Sequence, residues 1–428
     1  MLDPKQVRDR FDEVAAALAR RGEATDSLQR VCELEERRRR VVAERDELRS
    51  RVKALSRLVA EAMSKADHAR VEELREESKQ LGDRERELSR EVDGLEGTLR
   101  EHLLRIPNLP SPEAPDGEGP EDNVVVRTVG WDPHGLEDHQ RVPHWEIGER
   151  LGILDMARAS KLAGSMWSMF RREGAQLARA LCQLCLDRNR DLYEEIRPPT
   201  MVRTEVMVGT GHLPKFADEA YHIERDDLWA IPTAEVPLTS LYSGEILDES
   251  ELPLRLMALT ACFRREAGAA GRDTRGLLRV HEFDKVELLA YATPSQAPEI
   301  HREILSRAEA LIADLGLAYR VVDLCAGDLG ASAARTFDVE VYAPGVDRWL
   351  ECSSVSWFTD YQARRANLRY RTQGGGTAFV HTLNGSGLAV PRVWAALVET
   401  YHQPDGTVRI PDLLVPYMGG LERIEGKA

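Results

Sequence analysis

Leu259-Thr260-Ala261-Cys262-Phe263-Arg264-Arg265-Glu266 reads as a strand. It runs into the glycine-rich loop Ala267-Gly268-Ala269-Ala270-Gly271-Arg272-Asp273-Thr274-Arg275-Gly276 and returns as Val280-His281-Glu282-Phe283-Asp284-Lys285-Val286-Glu287-Leu288. Strands joined so locally are antiparallel. A period of two places His281, Phe283, Lys285 and Glu287 on one face, and Arg264 and Glu266 on one face of the first strand. A ring, two carboxylates and a guanidinium can thus converge. An Arg-x-Glu alone is most simply a surface ion pair, so the weight rests on the whole stretch.

Three further stretches carry chemistry. Leu383-Asn384-Gly385-Ser386-Gly387-Leu388-Ala389-Val390-Pro391-Arg392 opens the helical run Val393-Trp394-Ala395-Ala396-Leu397. Its glycines are expected to let the backbone approach a ligand, and Arg392 stands at the helix start. Ile231-Pro232-Thr233-Ala234-Glu235-Val236-Pro237-Leu238 offers a hydroxyl and a carboxylate two residues apart, or simply a turn between strands. The last is Trp349-Leu350-Glu351-Cys352-Ser353-Ser354, leading to Tyr361-Gln362-Ala363-Arg364-Arg365.

Together these stretches resemble motifs 2 and 3 and the amino-acid loop of class II aminoacyl-tRNA synthetases, and among them the common bacterial seryl-tRNA synthetases. The resemblance is detailed over about residues 160–420. It implies ATP as substrate, bound by Arg264, Arg265, Glu266, Val280, Phe283, Glu351, Cys352, Ser353, Ser354 and Arg392. In that reading Arg264 holds the α-phosphate, Glu266 the adenine amino group and Phe283 the adenine face. Arg392 closes the ring against Phe283 and reaches the γ-phosphate. L-serine is expected at Thr233, Ala234, Glu235, Glu287 and Ser386, with Glu287 on the ammonium, and Mg2+ at Glu351 and Ser354 with the nucleotide. Arg264, Arg392 and Glu351 are the expected catalytic residues. The chain departs from the usual family sequence at Val355 and Trp357, and shows none of the zinc-ligand additions of the divergent archaeal enzymes.

The implied reaction is formation of seryl adenylate, then transfer to the 3′ end of tRNA(Ser), with tRNA(Sec) as a further acceptor. The helix before Arg197-Pro198-Pro199 resembles motif 1 with Pro199 at the matching proline, which implies a homodimer, whereas the sequence alone supports only a buried helix-strand unit. Two rivals stand beside this reading. A carrier-loading paralogue would keep the ATP site and lack a full arm, and a structural coiled coil would keep the arm without the motifs.

That arm is written in sevens. Leu34, Val41, Leu48 and Leu55, then Leu74, Leu81, Leu88 and Leu95, predict two heptad helices broken at Met63-Ser64-Lys65-Ala66-Asp67, with Asp67 capping the second. The short turn makes them an antiparallel hairpin. Periodicity alone favours a dimerisation zipper or spacer over an RNA grip, although Arg37-Arg38-Arg39-Arg40 offers phosphate contacts. Residues 1–22 are expected as one amphipathic helix ending at Gly22, and a long helix is expected over about Ala163–Leu192. Short strands, glycine turns and helices then alternate without a βαβ rhythm. The fold class is therefore α+β, a class II antiparallel sheet flanked by helices with an N-terminal coiled-coil arm. The expected domains are 1–105 for the arm, 106–122 for a Pro/Gly-rich linker and 123–428 for catalysis.

The 428 residues carry 58 Lys and Arg against 73 Asp and Glu, net −15, which argues against a generic nucleic-acid-coating protein. Residues 1–105 hold 24 basic against 25 acidic side chains, so nearly all the excess lies in the remainder. Six scattered cysteines fit a reducing, cytoplasmic setting, and Cys182 and Cys185 sit in an apolar helical run rather than at metal spacing. Met1-Leu2-Asp3-Pro4-Lys5 lacks the apolar core of a signal peptide, and no membrane span is expected.

Overall fold

The computed structural model describes residues 1–132, 134–268 and 274–426, so residues 269–273 of the glycine-rich loop lie outside the described residues. The chain forms two compact units, Met1–Ala19 with Glu23–Pro107, and Arg20–Gly22 with Asn108–Ala428.

In the first unit, α1 (Pro4–Asp9) and α2 (Phe11–Ala19) precede α3 (Asp26–Ser64) and α4 (His68–Leu103). The expected single helix over 1–22 is thus two. Arg10, at φ −132° and ψ 41°, breaks it and lets Val7, Val14 and Leu18 all reach the interior. The heptad positions Val31, Leu34, Val41 and Leu55 of α3 bury against Leu74, Leu88, Val92, Leu95 and Leu99 of α4. Helices of 39 and 36 residues extend about 55 Å at 1.5 Å per residue. The turn closes as expected, with the Asp67 carboxylate accepting from the Arg70 backbone at 3.1 Å.

The second unit is built on one eight-stranded sheet. Its strands are β1 (Val124–Val129), β2 (Glu194–Glu195), β3 (Leu254–Phe263), β4 (Glu282–Ala292), β5 (Tyr319–Asp323), β6 (Arg335–Ala343), β7 (Arg348–Trp357) and β8 (His381–Ala389). The spatial order is β1-β5-β6-β7-β8-β4-β3-β2, antiparallel except where β2 lies parallel to β3. The helices are α5 (His144–Leu151), α6 (Met156–Ala163), α7 (Arg172–Asn189), α8 (Thr204–Thr210), α9 (Glu235–Thr239), α10 (Ala297–Asp314), α11 (Tyr361–Ala366) and α12 (Val390–Thr400).

Alternation along β4 divides the sheet into two faces. Val286, Leu288, Ala290 and Ala292 point into the main core with α7, α10 and α12, whereas Leu289 and Tyr291 pack in a second core on the opposite face. Lys285 and Glu287 share that second face, so their burial is a consequence of register.

The long helix expected over about Ala163–Leu192 begins only at Arg172. Gly164, at φ +98°, ends α6. The backbone then pairs with residues 153–155 through Asp155 N–H to Met169 O and Arg171 N–H to Ile153 O, each 2.9 Å. Cys182 and Cys185 are buried free thiols on α7.

Candidate active site

A cleft opens on the sheet face opposite α7, α10 and α12, in two joined halves. One is walled by Glu266, Leu277, Leu278, Arg279, Val280 and Phe283, and by Pro391 and Arg392 at the start of α12. The other is walled by Thr210, His212, Thr233, Glu235, Ser354 and Asn384. Arg264, Lys285, Glu351 and Ser386 border both.

Two β-bulges put these side chains where they are. Ser353 pairs with Val339 but Glu351 with Glu340, so Cys352 is an extra residue in β7. Glu351 and Ser354, three apart and on opposite faces by strict alternation, therefore both reach the cleft, while the Cys352 thiol points to the Val339 carbonyl at 3.3 Å in the core. In β8 the extra residue is Gly387, between Ser386 and Leu388. A Cβ at Gly387 would lie 2.9 Å from Cys185 Sγ, and one at Gly385 2.4 Å from Ile304 Cγ2. The expectation that these glycines admit a ligand is corrected accordingly. They admit α7 and α10 to the back of the sheet.

In the first half, the Arg264 guanidinium lies 5.2 Å from the Phe283 ring centre. Arg392, expected over that ring, instead donates from Nη1 to the Glu351 carbonyl at 2.5 Å, with the Glu351 carboxylate 3.5 Å away. Glu266 forms an ion pair with Arg279. The shared strand face expected for Arg264 and Glu266 is not formed, because β3 ends at Phe263 and Glu266 has φ +50°. Arg265 turns away, with its backbone on Glu219 O and its exposed guanidinium on Asp218 O at 3.2 Å. Ser353 is buried on the far side of β7, and its hydroxyl has no partner among the described residues.

The second half is a buried polar network. Thr233 Oγ1 donates to Glu287 Oε2 at 2.6 Å, and Lys285 forms an ion pair with the same carboxylate. Asn384 Nδ2 donates to Glu235 Oε2 at 3.0 Å and Glu287 Oε1 at 3.2 Å. Gln362 Nε2 donates to Glu235 Oε1 at 2.7 Å and Thr210 O at 3.1 Å, and its own oxygen accepts from Thr382 Oγ1 at 2.6 Å. Ser386 stands opposite Glu287 in the β4–β8 ladder, and Ala234 is wholly buried in the second core. Burial, and then the nearby Glu287, push the Glu235 carboxyl up to about 7. Burial, followed by Arg264, Lys285 and Arg365, pushes His212 down to about 4. Gln362, Asn384 and His212 were given no role from the sequence, and Lys285 was given only its strand face. Nothing in their immediate neighbours marks them, because the carboxylates that Gln362 and Asn384 meet lie far off in the chain.

Among the described residues no group of three or more His, Cys, Asp or Glu side chains could hold a metal by itself, so a hard divalent cation here would share Glu351 and Ser354 with nucleotide phosphates. Asp338 stands opposite Ser354 in the β6–β7 ladder, and one oxygen of its carboxylate is buried without a partner among the described residues. Burial, then Glu351, raise its pKa well above the usual carboxylate range. A surplus of buried oxygen beside Glu351 and Ser354 is what magnesium neutralises.

Residues 1–110 match the family model described as the seryl-tRNA synthetase N-terminal domain, and residues 219–401 match the tRNA synthetase class II core domain (G, H, P, S and T). The chain is 48% identical to a serine–tRNA ligase of Geobacter sulfurreducens, covering 99% of this chain and 100% of that one. It is 47% identical to that of Thermomicrobium roseum, covering 99% and 95%. The fold superposes on the seryl-tRNA synthetase of Pyrococcus horikoshii complexed with ATP at a TM-score of 0.91 with 36% identity, covering all of both chains. A cytoplasmic serine–tRNA ligase of Naegleria fowleri in complex with AMP gives 0.87 and 29%, covering 100% and 99%. Matched from end to end in sequence, arm and catalytic sheet alike, the chain belongs to the seryl-tRNA synthetase family.

Proposed function

We infer that this enzyme activates L-serine with ATP to seryl adenylate and transfers the seryl group to the 3′ end of tRNA(Ser). The observation that carries the site assignment is the two-part cleft. A half with an aromatic ring and two arginines joins a half that presents Thr233, Glu235, Asn384 and Ser386, and the same four residues border both. Serine's ammonium takes the place of the Lys285 ammonium on Glu287, and its hydroxyl meets Thr233, Glu235 and Ser386. Buried polar groups left unpaired by a smaller or apolar analogue give such a site its discrimination.

A serine carboxylate oxygen attacks the α-phosphorus, the bond to the bridging oxygen breaks, and pyrophosphate leaves. Arg264 and Arg392 stabilise the charge on the polyphosphate, Phe283 takes the adenine face and Glu266 its amino group. Glu351 and Ser354 would hold Mg2+, which when bound would add neutralising charge to the phosphates. The 3′-hydroxyl of the terminal tRNA adenosine then displaces AMP from the adenylate.

The arm over residues 1–105 serves as the tRNA grip, joined through 106–122 to the catalytic domain over 123–428, and tRNA(Sec) is a second acceptor. A stiff hairpin suits the shape-and-backbone recognition of RNA helices. The enzyme acts as a homodimer in the cytoplasm. Val124, Val125, Val126 and Val129, exposed on the edge strand β1, support self-association. No helix among the described residues is long and apolar enough to cross a membrane. The test is ATP–pyrophosphate exchange with serine, alanine, glycine and threonine, followed by charging of purified tRNA. Serine should lead clearly in kcat/KM, and equal use of alanine or threonine would sink the pocket assignment.

A further inference from the structure

One buried pair of ionisable groups takes no part in the chemistry above. His144, the first residue of α5, and Glu399 near the end of α12 are both wholly buried, with His144 Nδ1 2.7 Å from Glu399 Oε1. That oxygen also accepts the His144 backbone N–H at 2.9 Å, and Glu399 Oε2 accepts from Gly345 N at 2.8 Å. Pro143, preceding α5, caps it with no side chain, so Glu399 supplies the anion at the helix start.

The far side of the imidazole faces the returning limb of the glycine-rich loop. Leu277 N–H donates to His144 Nε2 at 2.9 Å. A backbone N–H can only donate, so Nε2 carries the lone pair and Nδ1 the proton that meets Glu399. Both bonds exist together in that one neutral tautomer alone. The contact is close by construction. Gly276 has φ +56°, and a Cβ there would lie 2.4 Å from His144 Nε2 and 2.6 Å from Trp145 Cε3. Arg275 lies 5.1 Å from the Trp145 ring centre on the same limb. Immediately beyond it, Leu277, Leu278, Arg279 and Val280 wall the nucleotide half of the cleft.

We propose that His144, oriented by Glu399, is a positioning residue that latches the returning limb of the loop and so preforms the nucleotide wall, tying the loop to α12, whose first turn carries Arg392. The inference rests on reading that half as the ATP site.

Two substitutions separate the two ends of the imidazole. His144→Asn keeps a donor near the Nδ1 position and offers Leu277 no acceptor, whereas His144→Gln reaches the Nε2 position with an amide oxygen. In serine-dependent pyrophosphate exchange, His144→Asn should raise KM for ATP roughly tenfold, the loss of one hydrogen bond from a buried donor. His144→Gln should recover most of that, and KM for serine should stay within about twofold in both, since the serine half is untouched. An unchanged KM for ATP in folded His144→Asn, equal effects in the two variants, or parallel rises for ATP and serine overturn the proposal. Wild-type protein decides it independently of either variant's folding. Ring 15N shifts should show His144 protonated at Nδ1, and the Leu277 amide should exchange as slowly as the strand amides. An Nε2-protonated ring or a fast Leu277 amide refutes the latch. Absence of exchange activity in the wild type would count against the ATP-site reading instead, and the tautomer and amide results would still stand.

Discussion

Replacing Gln362 with leucine removes a side chain of similar shape and leaves three polar groups stranded. Glu235 Oε1 and Thr210 O lose a donor, and the Thr382 hydroxyl loses its acceptor. A hydrogen bond to an ionised group contributes about 1.5–3 kcal/mol and a neutral one about 1 kcal/mol, so the loss should be on the order of 4 kcal/mol. A catalytic unit of about 320 residues unfolds with an entropy near 0.7 kcal/mol/K, which makes this a fall of about 6 °C in Tm. Part of the cost is relieved by protonation. The Gln362 bond opposes the upward push on Glu235, so its loss moves that carboxyl further above about 7. A neutral Glu235 is a poorer acceptor for serine's hydroxyl. KM for serine should therefore rise about tenfold or more while KM for ATP, whose half of the cleft Glu235 does not line, stays within about twofold. Calorimetry and pyrophosphate exchange on the same preparation test both parts. A Tm change under about 1 °C with serine KM unaltered would refute the network, and equal rises in both KM values would show a general loss of structure.

Arg264→Ala or Arg392→Ala should each slow adenylate formation by on the order of 10²-fold, through loss of a charge-assisted phosphate contact, and unchanged exchange in both would remove the phosphate assignment. Replacing residues 30–100 with a short linker should leave serine-dependent exchange and the dimer intact while tRNA charging collapses. Sedimentation and charging assays read the two outcomes, and loss of the dimer would favour the zipper. Between pH about 4.5 and 7 the unfolded chain has released the Glu235 proton that the folded chain keeps, so this residue lowers stability as pH rises through that window, and its effect levels off above 7. Buried His212 and His301, each held near 4, act in the opposite sense between about 4 and 6.5, so the measurement is the wild-type curve minus that of Glu235→Gln. The difference should slope by at most about 1.4 kcal/mol per pH unit, and a flat difference would show that Glu235 does not titrate there.

What could be read from the residues followed periodicity. The arm's heptads, the Asp67 cap and the alternation of β4 are local patterns, and each element formed where its pattern lies. What could not be read required counting to fail. Glu351 and Ser354 face one way only because Cys352 is an extra residue, and a bulge is set by the partner strand rather than by the residues that bulge. Residues 165–171 look helical in composition, yet Gly164 at φ +98° and pairing to residues 153–155 draw them out straight. The motif glycines are bound to helices distant in sequence, so only the packed structure tells which side of the sheet they serve. Gln362 and Asn384 have their value in carboxylates 127 and 149 residues away, which no local pattern announces.

The four residues common to both halves of the cleft make binding there a matter of linkage. A ligand that rearranges Arg264, Lys285, Glu351 or Ser386 in one half alters what the other half offers, and the free energy of that coupling is the same from either side. Whatever factor serine adds to the affinity for ATP, ATP must add to the affinity for serine. Lys285 sets the sign, because a serine ammonium that takes over Glu287 frees a cation beside the space the polyphosphate needs. Serine should thereby tighten the nucleotide site, and the two substrates should bind with positive cooperativity that is lost in Lys285→Met and kept in variants confined to a single half.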